Sequence, residues 1–219
     1  YSENVETVII NPKIVPDNNL LVNPNALIKL LEKQNNVTIA TPQTNVSVFY
    51  NNGRSQISGV STGVNIVEAD RMFNIKSYVV EGNANDLKSV QNGILLGVGI
   101  AKKMNVKTGD NISITSSKGV LKIMRVVGLF RTNNSITDKS KSYINISLAQ
   151  QLLQKNSSYI TDININIEDY DNAVLYANQF SKLTGYKAED WKAANETLMA
   201  AAKMRKIIIT VITFAILLV

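Results

Sequence analysis

The sequence predicts an α+β fold in which a βαβ-type subdomain carries an inserted strand-rich subdomain and leads into the start of a transmembrane helix. Strand and helix patterns alternate in residues 1–60 and 156–190, whereas residues 65–153 show short strands separated by glycines. The final stretch, 207–219, is apolar and uncharged. Of the 219 residues, 45% are hydrophobic, which is enough to bury a core.

The pattern of the first 60 residues predicts the element order β-α-β-β. Residues 5–15 indicate an edge strand, because β-branched residues are interrupted by a proline. A helix is predicted over 23–32, where Asn23 suits the N-cap, Pro24 suits the first helical position and four apolar residues share one face. Strands are predicted at 36–40, 45–50 and 54–60, with 51–53 as the hairpin turn.

The remaining elements follow from periodicity and from turn residues. The inserted part predicts strands at 93–96, 112–114 and 121–130 and helices at 98–104 and 147–154. The last part predicts a strand at 163–167, an amphipathic helix at 170–183 closed by Gly185, and a short strand at 186–188. The predicted division of the chain is 1–64 and 156–190 for the two parts of the first subdomain, 65–155 for the insert, and 191–219 for the helix directed to the membrane.

The end of the chain predicts entry into a membrane. Thirteen residues from Ile207 carry no charge, and since a bilayer core needs about 20 apolar residues, we expect a truncated span. Helix formers upstream predict one continuous helix from about Lys192, with Trp191 as an interfacial anchor or packing contact. The basic flank 203–206 would by itself favour the cytoplasmic side, which conflicts with an extracytoplasmic domain.

The amino-acid composition excludes several classes of catalytic and metal-binding site. The chain has no Cys and no His, which removes disulfides, thiol nucleophiles, the Ser-His-Asp relay and the usual zinc ligands. Its net charge of +6 comes from scattered basic residues without interleaved aromatics, so we expect no nucleic-acid binding. The densest acids, 169–171 and 189–190, lie beside predicted helix starts. We expect no enzyme and predict no catalytic, cofactor-binding or metal-binding residue.

The sequence Gly97-Val98-Gly99 follows a predicted strand and precedes a predicted helix, as in nucleotide-binding folds. The dinucleotide fingerprint requires a third glycine at position 102, which is Lys102, and no Walker A sequence is present. We therefore interpret these glycines as residues that let a strand turn into a helix. Any use of ATP must then belong to a partner.

Residues 93–114, GILLGVGIAKKMNVKTGDNISI, resemble a segment of the extracytoplasmic domain of type VII ABC permeases, which include lipoprotein-releasing, MacB and FtsX proteins. Further similarities follow in order along the chain: Ser58-Gly59-Val60, Glu81-Gly82, residues 126–130, Asp138, residues 143–153 and the helix of 189–206. The resemblance covers about residue 58 to the end. Residues 1–50 match nothing closely, and Thr132 is followed by two asparagines where the family often has glycine.

The resemblance implies that the first subdomain is porter-like and that the whole domain lies between the first and second of four membrane helices. It implies a dimeric permease in the inner (cytoplasmic) membrane, with this domain outside, driven by a cytoplasmic ABC ATPase. The implied function is export or membrane extraction of a lipoprotein or other amphipathic substrate, with a lipoprotein or periplasmic carrier as a further partner. Cargo would bind a surface. The alternatives are FtsX-like signalling to a cell-wall hydrolase and a membrane-anchored binding module without an ATPase.

Overall fold

The computed structural model describes residues 21–53, 55–132, 134–194, 204–205 and 207–210. The described residues divide into one compact unit up to Glu168 and a second from Asp169 onward. The helices of the first unit are α1 (Pro24–Glu32), α2 (Ile66–Phe73), α3 (Asp86–Ser89), α4 (Val98–Met104), α5 (Ser135–Ser140) and α6 (Ile146–Leu152), with a 3-10 turn at Ile75–Tyr78. Its strands are β1 (Val37–Asn52), β2 (Ser55–Val64), β3 (Val79–Gly82), β4 (Gly93–Gly97), β5 (Asn111–Ser116), β6 (Leu121–Phe130), β7 (Lys141–Asn145) and β8 (Asp162–Ile167). The second unit contains α7 (Ala173–Thr184) and α8 (Trp191–Ala194).

Six strands of the first unit close into a barrel. Each pairs with the next in the order β1, β2, β7, β4, β6 and β5, and β5 pairs again with β1. The β2–β7 and β4–β6 pairs are parallel, and the other pairs of the ring are antiparallel. Strand β3 pairs with β6, and β8 pairs with β1. Because every strand of the ring has two neighbours, closure removes the open edges that favour aggregation.

Strand β1 is a single strand, so the prediction of two strands at 36–40 and 45–50 was wrong. Its first half pairs with β8 and its second half, from Thr44, pairs with β2. Pro42 lies opposite Ile163 of β8, before the β2 ladder begins. A proline is compatible with a strand where it has one neighbour, since its missing N–H then need not interrupt a second ladder.

Apolar side chains fill the barrel and a second cluster outside it. The interior cluster combines alternate residues of the strands, such as Ile94 and Leu96 of β4, with residues of α4 and α6. Leu95 points to the opposite side and joins Val127 and Phe130 in a cluster with residues of α2 and α3. Strand β4 is therefore buried on both faces, which explains its continuous apolar sequence.

Most of the predicted helices and strands are confirmed with small shifts of their ends. The hairpin between β1 and β2 turns at Gly53, whose φ of 57° suits glycine. Asn23 precedes α1 as predicted, but its side chain makes no cap hydrogen bond. The predicted strand at 186–188 is wrong, because Gly185 ends α7 and the Ala188 N–H donates to Ser181 Oγ at 2.8 Å.

Two predictions concern residues that the structure describes only in part or not at all. The predicted strand at 5–15 and most of the apolar run 207–219 lie outside the described residues. Within the described part of the chain, no helix is both long enough and apolar enough to cross a membrane. The division at residues 64, 155 and 190 stays a prediction, and the sheet continues across the first of these positions.

Candidate functional site

The glycines of the Gly97-Val98-Gly99 motif lie against the backbone of α5. A Cβ at Gly97 would overlap the Asp138 carbonyl oxygen, and it would lie 2.8 Å from the Asp138 carbonyl carbon. A Cβ at Gly99 would lie 2.6 Å from Lys139 Cγ. Gly97 has an ordinary extended conformation, with φ −61° and ψ 138°. Strand β4 passes directly into α4 at this motif, as predicted, but this turn does not require glycine at position 97; the glycines are needed for close packing against α5.

Helix α5 is held in this position by its own polar residues. The Asn134 side chain accepts hydrogen bonds from the N–H groups of Ile136 and Thr137, which caps the helix. The buried Asp138 carboxylate accepts from the Thr132 N–H at 2.8 Å and from the Thr132 hydroxyl at 2.9 Å. Asp138, which the resemblance singled out, thus ties α5 to the end of β6.

An open groove of about 860 Å³ lies where β3, α4, α5 and the end of β6 meet. We call it the cationic groove, because four exposed cations line it: Lys102, Lys107, Arg131 and Lys139. Its apolar lining consists of Val80, Val98, Ala101, Val106 and Leu129. The cations are far apart in sequence and were interpreted as part of a scattered, solvated surface, because the packing of α4 against α5 that brings them together gives no local sequence signal.

The charges of the cationic groove are unbalanced. None of its four cations has a carboxylate oxygen within 4.0 Å in the described part of the chain, where the only ion pairs are Lys76–Asp70 and Lys187–Glu189. Its two acids have other hydrogen-bond donors: Asp138 binds Thr132, and Glu81 Oε1 accepts from the Thr108 N–H at 3.3 Å. The groove consequently presents unpaired positive charge around an apolar surface.

A second surface lies on the outside of the barrel, across β6, β5, β1 and β2. Residues directly opposite each other in antiparallel strands share a face, and the registers define two rows of four. We call these eight residues the uncharged face: Leu121, Thr115, Phe49 and Ser58 in one row, and Ile123, Ser113, Asn51 and Gln56 in the other. Its three large apolar side chains are 45% to 61% exposed. Amide hydrogen bonds cross it, from Gln56 to Asn51 at 2.7 Å and from Asn51 to Thr115 at 3.2 Å.

Two of the carboxylates considered as catalytic candidates, Asp169 and Asp190, accept hydrogen bonds from nearby backbone N–H groups. Asp169 Oδ1 accepts from the N–H groups of Asp171 and Asn172, and hydrogen bonds from the Asn172 side chain and backbone lower its pKa. Asp190 Oδ1 accepts from the Lys192 N–H at 2.8 Å at the start of α8. Across the described residues no three acids come close enough to hold a metal ion.

A polar network inside the barrel joins three strands. The Tyr50 hydroxyl lies 2.8 Å from Ser142 Oγ, and Ser142 donates to Ser61 Oγ at 2.9 Å. Burial raises the pKa of Tyr50, against the smaller opposing effect of Ser142. Burial, with a smaller contribution from Tyr78, raises the pKa of the neighbouring Tyr143 to about 12. Tyr50, Ser142 and Ser61 thus satisfy each other's hydrogen-bonding groups within the core and offer no open substrate site.

Comparisons with known proteins agree with this architecture. The family model of the MacB-like periplasmic core domain matches residues 2–183. The fold is shared by the extracellular domain of the noncanonical ABC-type transporter YknZ from Gram-positive bacteria, with a TM-score of 0.53, 12% identity, and 79% and 88% of the two chains covered. It is also shared by the periplasmic region of MacB from Actinobacillus actinomycetemcomitans, with a TM-score of 0.51, 16% identity, and 80% and 82% covered.

The family match defines the class of protein, an extracytoplasmic domain of the type VII ABC-transporter permease kind, and the shared fold agrees with it. The chain belongs to the MacB-like periplasmic core domain family. The expected family and α+β fold are therefore confirmed.

Curated relatives are transmembrane proteins of lipoprotein-releasing systems. LolC of Buchnera aphidicola is 28% identical over 94% of this chain, and LolC of Xylella fastidiosa strain Temecula1 is 25% identical over 60%. The chain covers 53% and 34% of the lengths of these two relatives.

Proposed function

We propose that this domain works in a permease that extracts a lipoprotein from the membrane, driven by ATP hydrolysis in a separate cytoplasmic ABC ATPase. The observation that supports this proposal most strongly is the 28% identity to a LolC protein along 94% of the chain. In this proposal the permease is dimeric and lies in the cytoplasmic membrane, with the domain on the extracytoplasmic side. A periplasmic carrier then receives the lipoprotein.

The uncharged face is the surface that we propose for the polypeptide part of the cargo. The centres of protein interfaces are depleted of charged residues, and the eight positions of this face include none. Phe49, Leu121 and Ile123 supply exposed apolar area. Serine, threonine and amide side chains between them can hydrogen-bond to a partner without the desolvation cost of a buried charge.

The test is a release assay with the full-length permease and its ATPase in proteoliposomes that carry a lipoprotein. Periplasmic extract supplies the carrier, and the measured quantity is lipoprotein that becomes soluble on addition of ATP. We expect ATP-dependent release, and we expect the F49E/I123E variant to release at least tenfold more slowly. Ten-fold corresponds to about 1.4 kcal/mol, a modest penalty for burying two carboxylates in a contact.

The matched control is V67E/I136E, which places two carboxylates on other exposed apolar residues of the same unit. Its release rate should stay within twofold of that of the unmodified permease. If both variants slow release equally, the uncharged face is not the cargo-binding surface. If the unmodified permease shows no ATP-dependent release, the proposal of lipoprotein extraction is refuted. ATP-dependent activation of a cell-wall hydrolase by the same permease would instead establish FtsX-like signalling.

A further inference from the structure

We propose that the cationic groove binds an anionic amphiphile, that is, a phosphate or carboxylate head attached to an alkyl chain. This site is separate from the uncharged face. It does not depend on a lipoprotein being the cargo, because it is inferred from the lining of the groove alone.

The head group is inferred from the unpaired cations. Lys102 on α4, Lys107 after α4 and Lys139 on α5 present ammonium groups, and Arg131 after β6 presents a guanidinium. A guanidinium binds phosphate or carboxylate through two parallel hydrogen bonds, and the ammonium groups add positive charge from other directions. The two acids of the groove, Asp138 and Glu81, offset only half of this positive charge, and neither forms an ion pair with a groove cation among the described residues.

The alkyl chain is inferred from the apolar lining. Val80 of β3 is 54% exposed at the groove, and Val98, Ala101, Val106 and Leu129 line it as well. An inorganic anion would leave the exposed apolar area of the groove, chiefly that of Val80, in water, whereas Ala101, Val106 and Leu129 form its buried floor. An uncharged hydrocarbon would leave the cations without a partner. A molecule with both parts satisfies both surfaces, and removal of the apolar area from water adds to the charge-assisted hydrogen bonds.

The proposal is tested by titrating the 219-residue chain with hexyl phosphate in the presence of phosphatidylcholine nanodiscs. Amide chemical shifts of Val80 and Gly99 report on the groove directly. We expect saturable shifts at these amides, and we expect inorganic phosphate and hexanol to bind at least tenfold more weakly than hexyl phosphate. The K102Q/R131Q variant should weaken hexyl phosphate binding at least tenfold.

The matched control is K29Q/K88Q, which removes two positive charges from exposed lysines on α1 and α3 and should change affinity less than twofold. Three results would overturn the proposal: no saturable shifts, equal binding of inorganic phosphate and hexyl phosphate, or equal weakening in both variants.

A further arm of the same experiment identifies the source of the amphiphile. Nanodiscs that contain phosphatidylglycerol should shift the same amides without added hexyl phosphate if the ligand is a membrane lipid. Unchanged shifts there, together with hexyl phosphate binding, assign the site to an amphiphile that has left the bilayer.

Discussion

Substitution of Gly97 by alanine tests the close approach of β4 and α4 to α5. The new Cβ would lie 2.8 Å and 3.0 Å from the carbonyl carbon and Cα of Asp138 and would overlap its carbonyl oxygen. Relief requires α5 to move by roughly 1 Å, and overpacking of this kind costs about 1–3 kcal/mol. The same movement strains the two hydrogen bonds from Thr132 to Asp138, which adds about 1 kcal/mol.

We therefore expect G97A to lower the free energy of unfolding by about 2–4 kcal/mol. Urea unfolding followed by circular dichroism measures this difference. Gly109 provides a control in which alanine strains the backbone without a steric clash. Its φ is 93°, and no described atom lies within 4 Å of the position that its Cβ would take. G109A should cost only about 1–2 kcal/mol, from left-handed backbone strain. A G97A chain that unfolds within about 0.5 kcal/mol of the unmodified chain would refute the packing account.

Three further predictions follow from local contacts. N134A should lower stability by about 1 kcal/mol, because two N–H groups of α5 lose their acceptor, and N134D should restore most of it in urea unfolding. Y50F should cost about 1–2 kcal/mol at pH 7 through loss of a buried hydrogen bond. This difference should shrink above pH 10, because the raised pKa keeps folded Tyr50 protonated while the unfolded chain ionises; urea unfolding at pH 8 and pH 11 measures it. In the full-length protein, cysteines at the exposed Ser55 and Ile136 should react with an impermeant thiol reagent on intact cells, and protection of both would contradict an extracytoplasmic location.

The sequence predicted elements whose signals are local. Strand β4 and helix α4 were located because an apolar run, two glycines and a helical pattern follow each other within residues 93–104. The hairpin at Gly53 and the end of α7 at Gly185 were found from glycines that need positive φ. Helix α5 was missed because it has only six residues and its sequence, SITDKS, has no apolar periodicity.

The closure of the barrel could not be predicted from such signals. It depends on the pairing of β2 with β7, in which Val60 lies beside Lys141, and on two partners for the second half of β1. Both proposed binding surfaces depend on long-range packing of this kind. Thr115 and Phe49 become neighbours through the register of β5 on β1, and Lys102 and Lys139 through the packing of α4 on α5. No spacing within the sequence indicates either juxtaposition.

Strand β6 connects the two surfaces. Ile123, near its start, belongs to the uncharged face, and Leu129, near its end, lines the cationic groove. Six residues of an extended strand span roughly 20 Å, so a polypeptide on the face and an amphiphile in the groove can bind one domain together without sharing a contact residue. Strand β6 lies within a closed ring of strands. Helix α5 packs closely against Gly97 and Gly99, at the end of β4, which is a neighbour of β6 in this ring. Because packed interfaces move as discrete bodies and deform little, a displacement applied to this barrel would carry both surfaces together.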